Sequence, residues 1–244
     1  MPADGRIEEL AEEWAFTVGE AYTPGAASEH VVRVELADGT PAVLKIGIPH
    51  RESEHEADAL ERWGGDGAVR LLRRDDARNA FLLERCEPGT FLSDRADDPL
   101  GVLIGLLPRL WKDPAGFTTL ADEVAWWNLD GEVGALASEL AATQGELVLV
   151  HQDLHAENVL AAEREPWLVI DPKPLAAERE FAVAPIVRGG ELGHSKRDVL
   201  YRLDRLCAEL GLDRERALGW TIVQTVAWNE DASRDMHEVV EWLS

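Results

Sequence analysis

The sequence predicts an α+β chain in two lobes, a small antiparallel sheet with one helix followed by a mostly helical half. Three observations lead there. Residues 15–86 run in short β-branched and alternating stretches punctuated by turn residues. Helical spacing takes over beyond the break at Cys86-Glu87-Pro88-Gly89. Between the later helices, Leu147-Val148-Leu149-Val150 and Trp167-Leu168-Val169-Ile170 form two apolar runs of strand length, read as adjacent, pairing strands.

The elements follow in order. Glu8 to Trp14 sets Leu10, Ala11 and Trp14 on one side of a short helix. Residues 15–22, 30–39 and 40–47 read as three strands, with Asp38-Gly39 as a hairpin turn between the last two. The small residues of Thr23–Ser28 make the first connection. A charged helix spans Arg51 to Trp63 and is closed by Gly64-Gly65, and strands at 68–76 and 80–89 flank a turn containing Asn79. The first lobe is placed at 1–86 and the second at 87–244. In the second, helices are expected at Leu100–Trp111, Leu120–Trp127, Glu132–Ala142, Arg197–Leu210, Arg214–Val226 and Met236–Leu243. Gly101, Gly105 and Pro108 are poor residues for the first of them.

With 244 residues, 45% of them hydrophobic, the chain can bury a sizeable core. It has no apolar run of membrane-spanning length, and its acidic start lacks the basic head and apolar centre of a signal peptide. The two cysteines, Cys86 and Cys207, lack metal-ligand spacing and read as free thiols of a cytoplasmic protein. A formal charge of −23 makes nucleic acid and anionic membranes unsuitable partners. The acid excess is either a solvated surface or a negative rim that attracts a polycation. Lysine is scarce, 4 against 20 arginines, so each retained lysine is informative.

The two apolar runs both end in chemistry. The first opens into His151-Gln152-Asp153-Leu154-His155-Ala156-Glu157-Asn158, which fits HxDxxxxN, and the second ends at Asp171-Pro172-Lys173. Upstream, in order, lie Lys45 on the third strand and an acid-bearing helix. This set resembles the aminoglycoside phosphotransferase family, relatives of the protein kinases, and within it the branch of streptomycin 6-kinases and hydroxyurea phosphotransferases. The stretches ADGTPAVLKIG, ESEHEADALERW, AVRLL, LLERCEPGT and RLDRLCAELGLDRERALGW extend the resemblance over nearly the whole chain.

The resemblance implies a bilobal protein-kinase-like fold, and ATP-dependent transfer of a phosphoryl group to an alcohol, with Mg²⁺ as cofactor. Asp153 would take the proton of the acceptor hydroxyl, and Asn158 and Asp171 would supply hard oxygen ligands to Mg²⁺. Lys45 would meet the nucleotide phosphates, held by Glu56, with Glu52 and Glu54 as alternatives. Backbone N–H groups from Gly25 to Ser28 would cover the phosphates. Glu84-Arg85-Cys86 would be the connector that reads the adenine edge. His151 is expected to anchor its loop, while Lys173 reaches the phosphates or makes a turn salt bridge. A cationic small-molecule acceptor such as streptomycin would meet Trp126, Trp127, Trp228, Glu230 and Asp231. The segment between Trp127 and Gln144 is shorter than that branch implies, a departure that bears on the acceptor rather than on the reaction.

Overall fold

The computed structural model of the chain describes residues 5–22, 28–228 and 234–243. Helix α1 (Gly5–Trp14) leads into strands β1 (Phe16–Ala21), β2 (Ser28–Leu36) and β3 (Pro41–Gly47). Helix α2 (Glu56–Trp63) intervenes before β4 (Leu71–Asp75) and β5 (Ala80–Glu84), and the five strands form one antiparallel sheet ordered β1-β2-β3-β5-β4. Strand alternation decides its two faces. Ala42, Leu44 and Ile46 of β3 join Val34, Ala80 and Leu82 against Leu10, Trp14 and Phe16. Val43 and Lys45 therefore face the other way, and Lys45 pairs with Phe81 across the β3–β5 ladder.

The charged helix expected over Arg51–Trp63 is split. A 3₁₀ turn at Arg51–Ser53 is capped by His50, whose Nδ1 accepts from the Glu52 N–H at 3.2 Å, and α2 starts afresh at Glu56. It stops where Gly64 takes φ 58°, a left-handed cap glycine provides without strain. Glu56, Ala57, Leu60 and Trp63 make its buried side, and Trp63 Nε1 donates to the Leu110 carbonyl at 2.9 Å. That bond fixes α2 to the second lobe.

The second lobe contains α3 (Leu92–Arg95), α4 (Pro99–Leu110), α5 (Leu120–Trp127) and α6 (Gly131–Ala142). Short strands β6 (Leu147–His151), β7 (Val159–Ala161), β8 (Trp167–Val169) and β9 (Pro174–Glu178) follow, then α7 (Ala184–Arg188), α8 (Lys196–Leu210), α9 (Arg214–Ala227) and α10 (Arg234–Leu243). This is the expected α+β arrangement, with one correction. The two apolar runs do not pair with each other: β6 pairs with β9, and β8 pairs with β7. The first run pairs beyond the second one, with β9, while the second folds back on β7, which precedes it. The two ribbons are joined by the His151 ring, whose Nε2 lies 3.1 Å from the Ile170 carbonyl. Helix α4 forms despite its glycines and Pro108, because six of its residues enter the main core and Asp98 caps it by accepting from Gly101 N–H. That core runs continuously from α2 through α4 and β6 to α9. No helix among the described residues is long and apolar enough to cross a membrane.

Candidate active site

Lys45 is 5% exposed, and its Nζ donates to both carboxylate oxygens of Glu56 at 2.7 Å and also to Asp171 Oδ1. Burial alone would push the Lys45 pKa down, but the Glu56 and Asp171 carboxylates outweigh it and hold the value above the ordinary range. Burial opposes ionisation of Asp171 too, yet Lys45 and Lys173 keep its carboxyl below the usual carboxylate range. Of the alternative acids, Glu52 lies 3.9 Å from Lys173 Nζ and Glu54 is exposed. Asp171 sits at φ +53°, a conformation short polar side chains tolerate and bulky ones resist.

His151 is wholly buried, and burial pushes its pKa down to about 4. Its Nδ1 accepts from the Asp153 N–H at 3.1 Å and its Nε2 faces the Ile170 carbonyl, which together fix the neutral Nε2–H tautomer. The ring thus ties the Asp153 turn to the strand that delivers Asp171. Asn158 Nδ2 donates to the Asp153 carbonyl at 2.8 Å and lies 3.1 Å from His155 Nε2. With its nitrogen so engaged, the amide's oxygen is left for the cleft. Asp153 Oδ2 accepts from Lys173 Nζ at 2.8 Å, while Arg188 Nη2 stands 3.9 Å from Oδ1. Lys173 and Arg188 both lie 5.0 Å from the centroid of the Trp228 ring.

These groups surround two connected spaces. A cleft of about 570 Å³ between the sheet and the second lobe is walled by Val31, Val43, Lys45, Leu83, Leu160 and Asp171. Beside it, a polar pocket of about 340 Å³ is lined by His50, Glu52, Asp153, Asn158, Asp171 and Lys173. Asn158 and Asp171 border both. Their two oxygens suit a hard cation completed by phosphates and water; among the described residues no three His, Cys, Asp or Glu side chains gather into a metal cage.

Comparison with known proteins shows the family. The model of the aminoglycoside/hydroxyurea antibiotic resistance kinase family matches residues 14–233. The chain belongs to that family. It is 40% identical to a streptomycin 6-kinase of Streptomyces glaucescens, over 93% of this chain and 83% of that protein. It is 39% identical to a hydroxyurea phosphotransferase of Kitasatospora aureofaciens, over 92% of this chain and 72% of that one. The first alignment spans 258 positions, more than the 244 residues here, so that relative carries segments this kinase lacks. In fold the kinase is similar to the choline kinase LicA of Streptococcus pneumoniae, also solved with AMP, with TM-score 0.69 at 14% identity. That similarity covers 98% of each chain.

The connector residues of this kinase border the cleft. The Glu84 carboxylate is bound by Arg164 at 2.8 and 3.0 Å, Arg85 Nε lies 2.6 Å from Glu87, and burial pushes the Cys86 thiol up to about 12. Gly25 lies outside the described residues, as do Glu230 and Asp231; Ser28 opens β2 opposite Gly47. The tryptophans singled out from sequence all touch other side chains of the chain, although Trp126 stays 56% exposed. Trp126 carries the Arg51 guanidinium at 5.2 Å, Trp127 packs on Phe181, and Trp228 carries Lys173 and Arg188. Arg51 in turn donates to the buried Glu123 at 2.8 Å, which joins the 3₁₀ turn bearing Glu52 to α5. Sequence reasoning missed Glu123, Arg188 and Gln224; Arg188, an arginine ending an apolar run, carried the only available signal.

Proposed function

We propose that this kinase transfers the γ-phosphoryl group of ATP to a hydroxyl of an aminoglycoside such as streptomycin, inactivating the antibiotic by modification. The observation that carries the reading is the convergence of Lys45, Asp171, Asn158 and Asp153 along one line from the cleft into the polar pocket. A cation, two oxygen ligands and a base in that order are what transfer between a nucleotide and an alcohol requires. The identities of about 40% with a streptomycin 6-kinase support the acceptor class.

The chain's own groups divide the work. Glu56 holds Lys45 so that its ammonium can meet the α- and β-phosphates. Asp153 accepts a hydrogen bond from the acceptor hydroxyl and takes its proton as the new phosphorus–oxygen bond forms and the bond to the β-phosphate breaks. Lys173 restrains the Asp153 carboxylate and supplies positive charge beside the transferring group. Asn158 and Asp171 would hold Mg²⁺, which would neutralise charge on the phosphates. The 84–86 connector would present its backbone to the adenine.

The test is ADP release with ATP and Mg²⁺ in the presence of streptomycin, of hydroxyurea, and of neither. Acceptor-dependent release with streptomycin supports the reading. Release only with hydroxyurea would keep the reaction and move the acceptor.

A further inference from the structure

Arg202 and Arg188 are both largely withdrawn from solvent, yet they differ in kind. Arg202 is 2% exposed, and its guanidinium is filled: it donates to the carbonyls of Val187, Gly189, Leu192 and Gly193 at 2.7–3.2 Å. It is a structural arginine that stitches the end of α7 and the following loop to α8. Arg188 is not built that way. Its side chain is 10% exposed, yet its one hydrogen bond among the described residues runs from Nε to Gln224 Oε1 at 3.2 Å. The two terminal nitrogens make no hydrogen bond to any described residue. The little exposure that remains leaves these two nitrogens open to solvent, so an oxygen of a bound molecule can take the place of water there.

The empty donors are held in a defined place. Gln224 is fully buried and passes the restraint on, its Nε2 donating at 2.7 Å to the carbonyl of Gln152, the residue before Asp153. The guanidinium rests against Trp228, with Nη2 3.9 Å from Asp153 Oδ1. Lys173 has taken the other oxygen, Oδ2. Oδ1 is thus the atom left to accept a proton, and beside it stands a donor too far away to use it. The gap suits two oxygens of one molecule, a hydroxyl on Oδ1 and a neighbouring oxygen on the arginine.

We propose that Arg188 contacts the acceptor, donating hydrogen bonds to an oxygen on the atom next to the one that bears the reacting hydroxyl. The acceptor then enters with an uncharged, oxygen-rich edge foremost, because Arg188 and Lys173 both repel a cation at that position. Any guanidinium or ammonium it carries lies away from Arg188 and Lys173. This inference rests on the reading of Asp153 as the base.

The experiment compares Arg188→Met, Arg188→Lys and Arg188→Ala with the wild type in steady-state kinetics on streptomycin and in thermal unfolding. Arg188→Met should lower kcat/KM for streptomycin about 10- to 100-fold, the worth of hydrogen bonds from a charged donor. KM for ATP should stay within about twofold, since Arg188 is remote from the nucleotide cleft, and Tm should hold or rise because an unfilled buried cation has been removed. Arg188→Lys should recover only part of the loss, and millimolar guanidinium should rescue Arg188→Ala. A fall in Tm in Arg188→Met, with equal losses for ATP and acceptor, would make Arg188 a structural residue like Arg202 and overturn the proposal. So would an unchanged kcat/KM for streptomycin. If the wild type phosphorylates no streptomycin, the substrate reading fails by itself, and the unfolding comparison still decides whether Arg188 is kept at a cost to stability.

Discussion

Glu56→Gln keeps the side chain's volume and removes the charge facing Lys45. Lys45 and Glu56 side chains are 6% and 2% exposed, so the pair is desolvated and little screened by water. Removing one partner of such a pair costs about 3–5 kcal/mol, because the other charge is left buried. Asp171 still contacts Lys45 Nζ, which places the expected loss near the lower figure, about 3 kcal/mol. Lys45 is then held by Asp171 alone, which on the proposed mechanism draws it from the phosphates and occupies an oxygen meant for the metal. A hundredfold fall in kcat/KM for ATP, about 2.7 kcal/mol, is the expected size. The double variant Lys45→Met/Glu56→Leu removes both charges and fills the space. It should recover stability to within about 1 kcal/mol of wild type while staying as inactive as Lys45→Met. Urea unfolding followed by tryptophan fluorescence and ADP-release kinetics give the two readouts. Stability losses that simply add across the pair would refute the reasoning, since additive losses mean the two charges do not depend on each other.

Three further outcomes follow from the same structure. His151 titrates near 4 in the folded chain against 6.5 in the unfolded one, so the unfolded state takes up its proton first; stability is complete above pH 6.5 and falls as pH drops towards 4, by about 3 kcal/mol in all. Urea unfolding across that window should show a shallower slope for His151→Gln, and an unchanged slope would mean that the ring is not buried neutral. Asp171→Ala should weaken Mg²⁺-dependent ATP binding in calorimetry as well as turnover, and an unaltered Mg²⁺ requirement would remove Asp171 from the metal site. If the acid excess attracts a cationic acceptor, KM for streptomycin should rise as salt approaches a molar, where screening acts over about 3 Å; a salt-insensitive KM would mean the net charge only keeps the surface solvated.

What was legible in the sequence was whatever is local. The HxDxxxxN loop, the Asp38-Gly39 hairpin and the alternation in β3 are short-range patterns, and the same alternation turns Lys45 away from the α1-side core. Strand partnership is not local, and two apolar runs at similar depth gave no indication that the first pairs with β9 beyond the second, and the second with the preceding β7. The helix expected from Arg51 divides before Glu56 because the His50 cap and a buried Ser53 impose a separate 3₁₀ turn there. The company kept by the tryptophans was also hidden: Trp228 meets Lys173 and Arg188 only because α9 packs against α7. No spacing rule connects residues so far apart in sequence.

The central claim is phosphoryl transfer from ATP to an acceptor hydroxyl with Asp153 as the base. Mass spectrometry of streptomycin incubated with ATP, Mg²⁺ and either the wild type or Asp153→Asn tests it directly. The wild type should convert the antibiotic to a monophosphate, and Asp153→Asn should do so at least about a hundredfold more slowly, the usual worth of a general base, while binding ATP within a few-fold of normal. Monophosphate formed by Asp153→Asn at the wild-type rate would contradict the claim.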